Sequence, residues 1–317
     1  MKIVYCGGLK DCPYAPDHLG IQQGFTELDW DWSIVDPILG KPSGRETAEK
    51  INAIAPDIVI HGNTNSLTDH VCKHVNSSIS QVFWMLDYRT PEMLDGENRW
   101  SHWTENGPYL DSIFISSRDH IQLWEKEFGV ECFFAPHACW IPDQLEYSES
   151  HEYDLLFIGG LEVREPYAKR TRFVHEIRDL SPVPLKVVNE ASPVHRQQVW
   201  LDMPKYYHSA KVVLDISHFW DNWGYCSGRY WYTATLGGCA VTKRFPGCSL
   251  FFPDTFKWYF DTPQQAADLI QALLNNEGER TLTKNRAARY AWRNHSYKIR
   301  FQQMMLCLET GKQVPMY

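Results

Sequence analysis

The chain has 317 residues, 44% apolar and 22% charged, a globular composition too long for one ordinary core, so two domains of roughly 140 to 180 residues are expected. No stretch approaches the ~18 uninterrupted apolar residues of a bilayer span, and Met1 to Tyr5 run into a strand pattern instead of a signal peptide, which points to a cytoplasmic protein without a membrane span. The formal net charge of −8 is uneven: residues 1–138 carry 20 Asp/Glu against 10 Lys/Arg, and residues 139–317 carry 19 against 21. A long nucleic acid would find no basic face in the front half, whereas a compact diphosphate suits the back half.

In chain order, β-branched and aromatic runs at Lys2–Cys6, Trp32–Asp36, Asp57–His61, Gln81–Leu86, Ser112–Ser116 and Glu131–Ala135 predict strands. Amphipathic stretches near His18–Leu28, Ser43–Ala55, Leu67–Asn76 and Arg118–Phe128 predict the helices between several of them. This alternation implies parallel βαβ units and a doubly wound sheet over residues 1–138. A linker follows at 139–152, marked by Pro142 and the polar Ser148-Glu149-Ser150 run. The alternation restarts with strand Asp154–Ile158, ending in Gly159-Gly160, then helix Arg164–Asp179, strands Leu185–Asn189 and Lys211–Ile216, helix Gly228–Leu236 and strand Cys239–Thr242. Three helices near Pro263–Asn275, Glu279–Arg293 and Ser296–Leu308 are expected to close a second domain over 153–317. The nine cysteines are scattered and form no Cys-x-x-Cys pair, so they read as reduced core thiols, not as a disulfide framework or a metal site.

The most informative stretch runs from Ser227-Gly228-Arg229 through Tyr232 to Gly237-Gly238 and the strand Cys239–Thr242, followed by Phe245-Pro246-Gly247. Glycine at a helix start leaves first-turn N–H groups free where the helix dipole favours an anion, and Arg229 adds a guanidinium fork suited to phosphate oxygens. An ordinary helix start with a surface arginine would leave the same local sequence.

This block resembles the carboxy-terminal domain of group 1 glycosyltransferases, most closely the CgeB-like spore-maturation branch. That family has Arg-x-x-Glu, four residues, Gly-Gly, an apolar strand and a Pro-Gly turn, and Arg229 and Gly237-Gly238 keep the spacing. Tyr153–Gly160, Phe256–Phe260 and His295-Ser296-Tyr297 resemble further family elements, as do Pro56–Ile60 and Phe83–Asp87 in the front half, so the resemblance covers nearly the whole chain. It implies an α/β GT-B fold, two facing Rossmann-like domains with an interdomain cleft. It also implies transfer of a sugar from a nucleotide diphosphate sugar to a hydroxyl acceptor, with the donor in the carboxy-terminal domain and the acceptor in the amino-terminal one. The nucleotide sugar is a co-substrate, and no resident cofactor is expected. Where the family places a glutamate on the ribose hydroxyls this chain has Tyr232, which offers one donor and a weaker acceptor, so ribose recognition must differ.

The same resemblance makes Gly159, Gly160, Arg164, Ser227, Gly228, Arg229 and Tyr232 candidate donor-binding residues, with Arg170 and Arg172 as nearby alternatives to Arg164. Asn222 and Trp223 lie between a strand end and the helix start, where they could hold a base or sugar or simply fill a loop. An inverting reaction needs a general base, and Asp87 and His61 end strands of the front half; a retaining one needs none. A strand-end histidine is commonly a satisfied core residue. Gly7-Gly8 would let backbone approach the acceptor or the opposing domain. Asp29-Trp30-Asp31 has metal-binding spacing but sits between helix and strand, so it reads as a turn and metal-independent chemistry is expected. Two alternatives stand beside this reading: transfer to hydroxymethylated bases of a viral DNA, which the acidic front half disfavours, and a non-catalytic sugar-binding or structural protein on a degenerate scaffold, which Tyr232 motivates.

Overall fold

A computed structural model of the chain describes residues 1–7, 15–37, 44–62, 67, 70–88, 90–94, 99–142, 151–188 and 193–317. Gly8 and the Ser148-Glu149-Ser150 run lie outside the described residues. The chain divides into two compact units, one of Met1–Pro13, Ile21–Pro136 and Lys298–Met316, the other of Tyr14–Gly20, His137–Tyr297 and Tyr317.

The first unit is built on β1 (Lys2–Cys6), β2 (Asp31–Val35), β3 (Ile58–Gly62), β4 (Ser80–Met85), β5 (Ser112–Ile115) and β6 (Cys132–Phe134). All pair in parallel in the order β2-β1-β3-β4-β5-β6. Between them run α1 (Pro16–Glu27), α2 (Gly44–Ile54), α3 (Val71–His74), α4 (Pro91–Leu94), α5 (Arg99–Thr104) and α6 (Ile121–Phe128). The strands carry apolar residues on successive positions because helices cover a parallel sheet on both faces. Trp124 and Phe128, one turn apart on α6, stack at 5.0 Å and join Trp100, Trp103 and Phe83 in the core. Gly129 stops α6 with φ 71, a conformation glycine adopts without strain.

The second unit carries β7 (Tyr153–Ile158), β8 (Leu185–Val188), β9 (Ala210–Asp215), β10 (Ala240–Lys243) and β11 (Trp258–Phe260), again all parallel, in the order β11-β10-β9-β7-β8. Its helices are α7 (Ala168–Leu180), α8 (Pro193–His208), α9 (Gly228–Thr235), α10 (Cys248–Phe251), α11 (Pro263–Leu274) and α12 (Glu277–Asn294), and α13 (Tyr297–Thr310) closes the chain. Two parallel-sheet α/β units are therefore present, as the alternation predicts. Thr262 caps α11 by a full capping box with Gln265. No helix among the described residues is long and apolar enough to cross a membrane, and the described cysteines are all buried, none in a disulfide.

Two expectations of domain membership are corrected. Helix α13 does not close the second domain: beyond Tyr297 it groups with the first unit, where Phe301 stacks on Phe25 at 4.4 Å and meets Trp84 edge-on at 5.7 Å. Gln313 then bonds both backbone groups of Phe134, at 2.6 and 3.1 Å. An apolar helix face in the sequence does not say which sheet will cover it. Conversely, the start of α1, through Gly20, groups with the second unit. Helix α8, which the sequence reading does not include, accommodates Pro204 in its interior.

Candidate functional site

In the second sheet the strand order reverses between β7 and β9, which places a ligand crevice at their carboxyl ends. Arg229, the second residue of α9, occupies that point. Its Nε donates to the Ile158 carbonyl at the end of β7 (2.5 Å), and its Nη1 donates to the Ile216 carbonyl just past β9 (3.0 Å) and to Ser227 Oγ (3.3 Å). The guanidinium lies 5.0 Å from the Phe157 ring centroid. Nη2 makes no hydrogen bond among the described residues and lies against Gly159, whose φ of 149 and lack of a Cβ are both required, since a Cβ there would overlap that nitrogen. Arg229 is thus a brace across two strand ends with one amino group left for a ligand, not a wholly free phosphate fork.

Ser227 is the N-cap of α9 in extended conformation, yet its hydroxyl caps no backbone N–H. It is turned toward Arg229 and toward Ser217 Oγ (3.4 Å), while Ser217 Oγ accepts the Ser227 N–H at 2.9 Å. The first-turn amides of Gly228 and Arg229, which have no partner inside the helix, are left without a side-chain cap. Below them the fully buried Lys257 donates to the Tyr230 carbonyl at 2.5 Å and lies 3.6 Å from the Tyr230 ring centroid, with Asp215 Oδ2 3.8 Å away. Burial outweighs the Asp215 charge and lowers the Lys257 pKa to about 8.

Of the three arginines after Gly160, Arg164 is exposed and pairs with Glu162, and Arg172 pairs with Glu165. Arg170, buried on α7, is the one that reaches the loop, donating from Nη2 to the Gly160 carbonyl at 2.5 Å. The aromatic segment before α9 largely packs internally: Trp220 lies against Phe173 at 5.3 Å, Phe219 against Tyr167 at 5.8 Å, and Gly224 N–H bonds the Pro246 carbonyl. Asn222 and Trp223 stay half-buried on that loop, Asn222 bonding the Phe219 carbonyl and Trp223 flanking Gly247.

Tyr232 does not present a free hydroxyl. Its ring covers Gly228, where a Cβ would stand 2.6 Å from Cε2, and its hydroxyl donates to Asp17 Oδ1. The same oxygen accepts from Tyr297 (2.5 Å) and His137 Nδ1 (3.1 Å), all four residues belonging to the second unit. Burial alone would raise the Asp17 pKa, but His137 and the two phenols hold it down at about 2, and burial together with the Asp17 charge pushes the Tyr232 phenol well above its ordinary value. Asp17, Ser217 and Lys257 escape the sequence reading, which names Arg170 only as an alternative to Arg164. Asp17 and Tyr232 are 215 positions apart, and no local pattern joins them.

The front-half candidates are not gathered into such a cluster. His61 is completely buried, its Nε2 3.2 Å from Gln81 Oε1 and 3.6 Å from Cys72 Sγ, and burial lowers its pKa to about 4. It is a core histidine, enclosed away from any acceptor. Asp87 follows β4 and is half-buried. The space over Gly7 is filled by the Tyr5 ring, 2.6 Å from where a Cβ would stand, so it is not left for an approaching backbone. Asp29, at φ 53, turns the chain into the amino end of β2, opposite the strands' carboxyl ends.

Residues 165–306, which include α9, match the family model described as glycosyl transferase-like. No curated protein matches the chain significantly. Among solved structures it is similar to an alpha-glucosyltransferase in complex with UDP and a 13-mer DNA containing a HMU base (TM-score 0.67, 10% identity, covering 98% of this chain and 100% of that one). It is also similar to Anabaena Alr3699/HepE in complex with UDP (TM-score 0.62, 12% identity, 98% and 100%) and to apo OtsA (TM-score 0.62, 11% identity, 99% and 100%). The chain has the GT-B fold.

Proposed function

We propose that the protein is a cytoplasmic, metal-independent glycosyltransferase related to the CgeB-like branch, moving a sugar from a nucleoside diphosphate sugar to a hydroxyl acceptor. One observation carries this reading: the uncapped start of α9 and the spare Nη2 of Arg229 converge at the strand reversal of the second sheet. Anions bind helix starts of this kind, and charge developing on a departing diphosphate is stabilised there without a metal. The family match over α9 and the UDP in two of the similar structures support the choice of ligand.

In the proposed reaction the bond between the anomeric carbon and the diphosphate oxygen breaks, leaving its electrons on the nucleotide, and a bond to the acceptor oxygen forms. The acceptor is held by the amino-terminal unit. In an inverting reaction its proton passes to Asp87, the strand-end carboxylate there; in a retaining one it leaves on the departing diphosphate, and no protein base is needed. Transfer to DNA is a second reading, favoured by the DNA bound in one similar structure and weighed against by 20 acidic and 10 basic residues in the front half.

Incubation with radiolabelled UDP-sugars in excess EDTA tests the proposal. Donor hydrolysis or transfer that persists in EDTA is expected. An inert protein would point to the degenerate-scaffold alternative, and activity abolished by EDTA and restored by manganese would overturn the metal-free mechanism.

A further inference from the structure

The carboxylate of Asp17 is set in the second unit with an asymmetry that packing alone does not require. Oδ1 is saturated by Tyr232, Tyr297 and His137. Since an ionised carboxylate only accepts, all three must donate, which assigns the proton of His137 to Nδ1. Oδ2 takes no hydrogen bond among the described residues, and the side chain is 27% exposed. The carboxylate is one hydrogen bond from the Tyr232 hydroxyl, and that hydroxyl oxygen would lie 2.8 Å from a Cβ on Gly228. A fixed acceptor therefore stands beside the first residue of α9.

A phosphate would be repelled by this oxygen, whereas a neutral hydroxyl would be bound by it. We propose that Asp17 is a substrate-binding residue, its Oδ2 accepting a hydrogen bond from a hydroxyl of the nucleotide sugar, on the ribose or on the transferred sugar. Tyr232, Tyr297 and His137 are positioning residues that hold the carboxylate by its other oxygen. The side chain at 232 thus acts at one remove, through Asp17. Glutamate in place of Tyr232 would set two carboxylates against each other. This inference rests on the proposed nucleotide-sugar site and names the group that recognises its neutral part.

The test is calorimetric titration of the wild type and Asp17→Asn with UDP, 2′-deoxy-UDP and UDP-glucose, with circular dichroism to establish folding. A loss of about tenfold or more for UDP with little change for the deoxy analogue places the hydroxyl on the ribose. A loss confined to UDP-glucose places it on the sugar. A folded variant in which all three affinities are unchanged, or fall equally, overturns the proposal, because a merely structural role is blind to hydroxyls. Wild-type protein that binds none of the three refutes the proposed function itself, and this inference with it. Should Asp17→Asn not fold, Tyr297→Phe, which removes one donor and leaves the carboxylate, is read in the same way: a selective fall of a few-fold supports the proposal, and an unchanged or uniform pattern overturns it.

Discussion

The two sheets share a parallel architecture and reverse their strand order at one point each, yet they fill that point with opposite chemistry. In the first unit the reversal lies between β1 and β3, and the Tyr5 ring is packed over Gly7, just past β1, and Gly62, the last residue of β3, where a Cβ on either would run into the phenol. In the second unit the reversal lies between β7 and β9, and Arg229 spans it. A buried ring needs glycines beside it and offers a ligand little. A guanidinium needs carbonyls to hold it, and the strand ends supply them while one amino group stays available. Backbone topology makes both places possible ligand crevices, and the side chain that occupies each decides which one is suited to an anion.

Arg229→Ala removes the feature that separates the two. It is expected to weaken UDP binding by roughly ten- to a hundredfold, the value of a charged hydrogen bond. It is also expected to lower stability, because the Ile158 and Ile216 carbonyls lose their donor. Calorimetry and thermal melting read the two effects separately, and unchanged affinity in a folded variant would take Arg229 out of the site.

His61 sharpens the contrast from the other side. Burial lowers its pKa from 6.5 to about 4, so the folded state binds fewer protons than the unfolded state between those values. Stability is therefore full above pH 6.5 and falls as pH drops toward 4, by about 3 kcal/mol in total. Urea denaturation of the wild type and His61→Asn at pH 7 and pH 4.5 should show a smaller pH dependence in the variant, with UDP affinity at pH 7 retained. A loss of turnover without a loss of stability would return His61 to the catalytic candidates.

Gly159→Ala is expected to cost about 1 to 3 kcal/mol, since the new methyl meets Arg229 Nη2 in a backbone region that side chains rarely adopt. Melting that matches the wild type would mean that Arg229 is free to move away, and the brace would lose its rigidity argument.

Much of this was legible in the sequence. The alternation of strand and helix patterns anticipates ten of the eleven strands within a residue or two, and the Ser227-Gly228-Arg229 block marks the helix start that the structure places at the strand reversal. What was not legible depends on long-range packing. Nothing in the period of α13 distinguishes the sheet it covers, and nothing near Tyr232 announces Asp17. Arg164 and Arg170 lie on one short stretch, and only the path of α7 decides that the second is buried against the loop while the first remains outside. A residue's type was readable, in short, where its neighbours in sequence were also its neighbours in space.

The central claim is that the strand reversal of the second sheet, and not that of the first, takes the nucleotide diphosphate. Titrating isotopically labelled protein with UDP and following its backbone amide resonances tests this directly. The largest shifts are expected at Gly159, Gly160, Gly228 and Arg229, with Gly7 and Gly62 unmoved. Shifts centred on Gly7 and Gly62, with the amides of α9 silent, would contradict it.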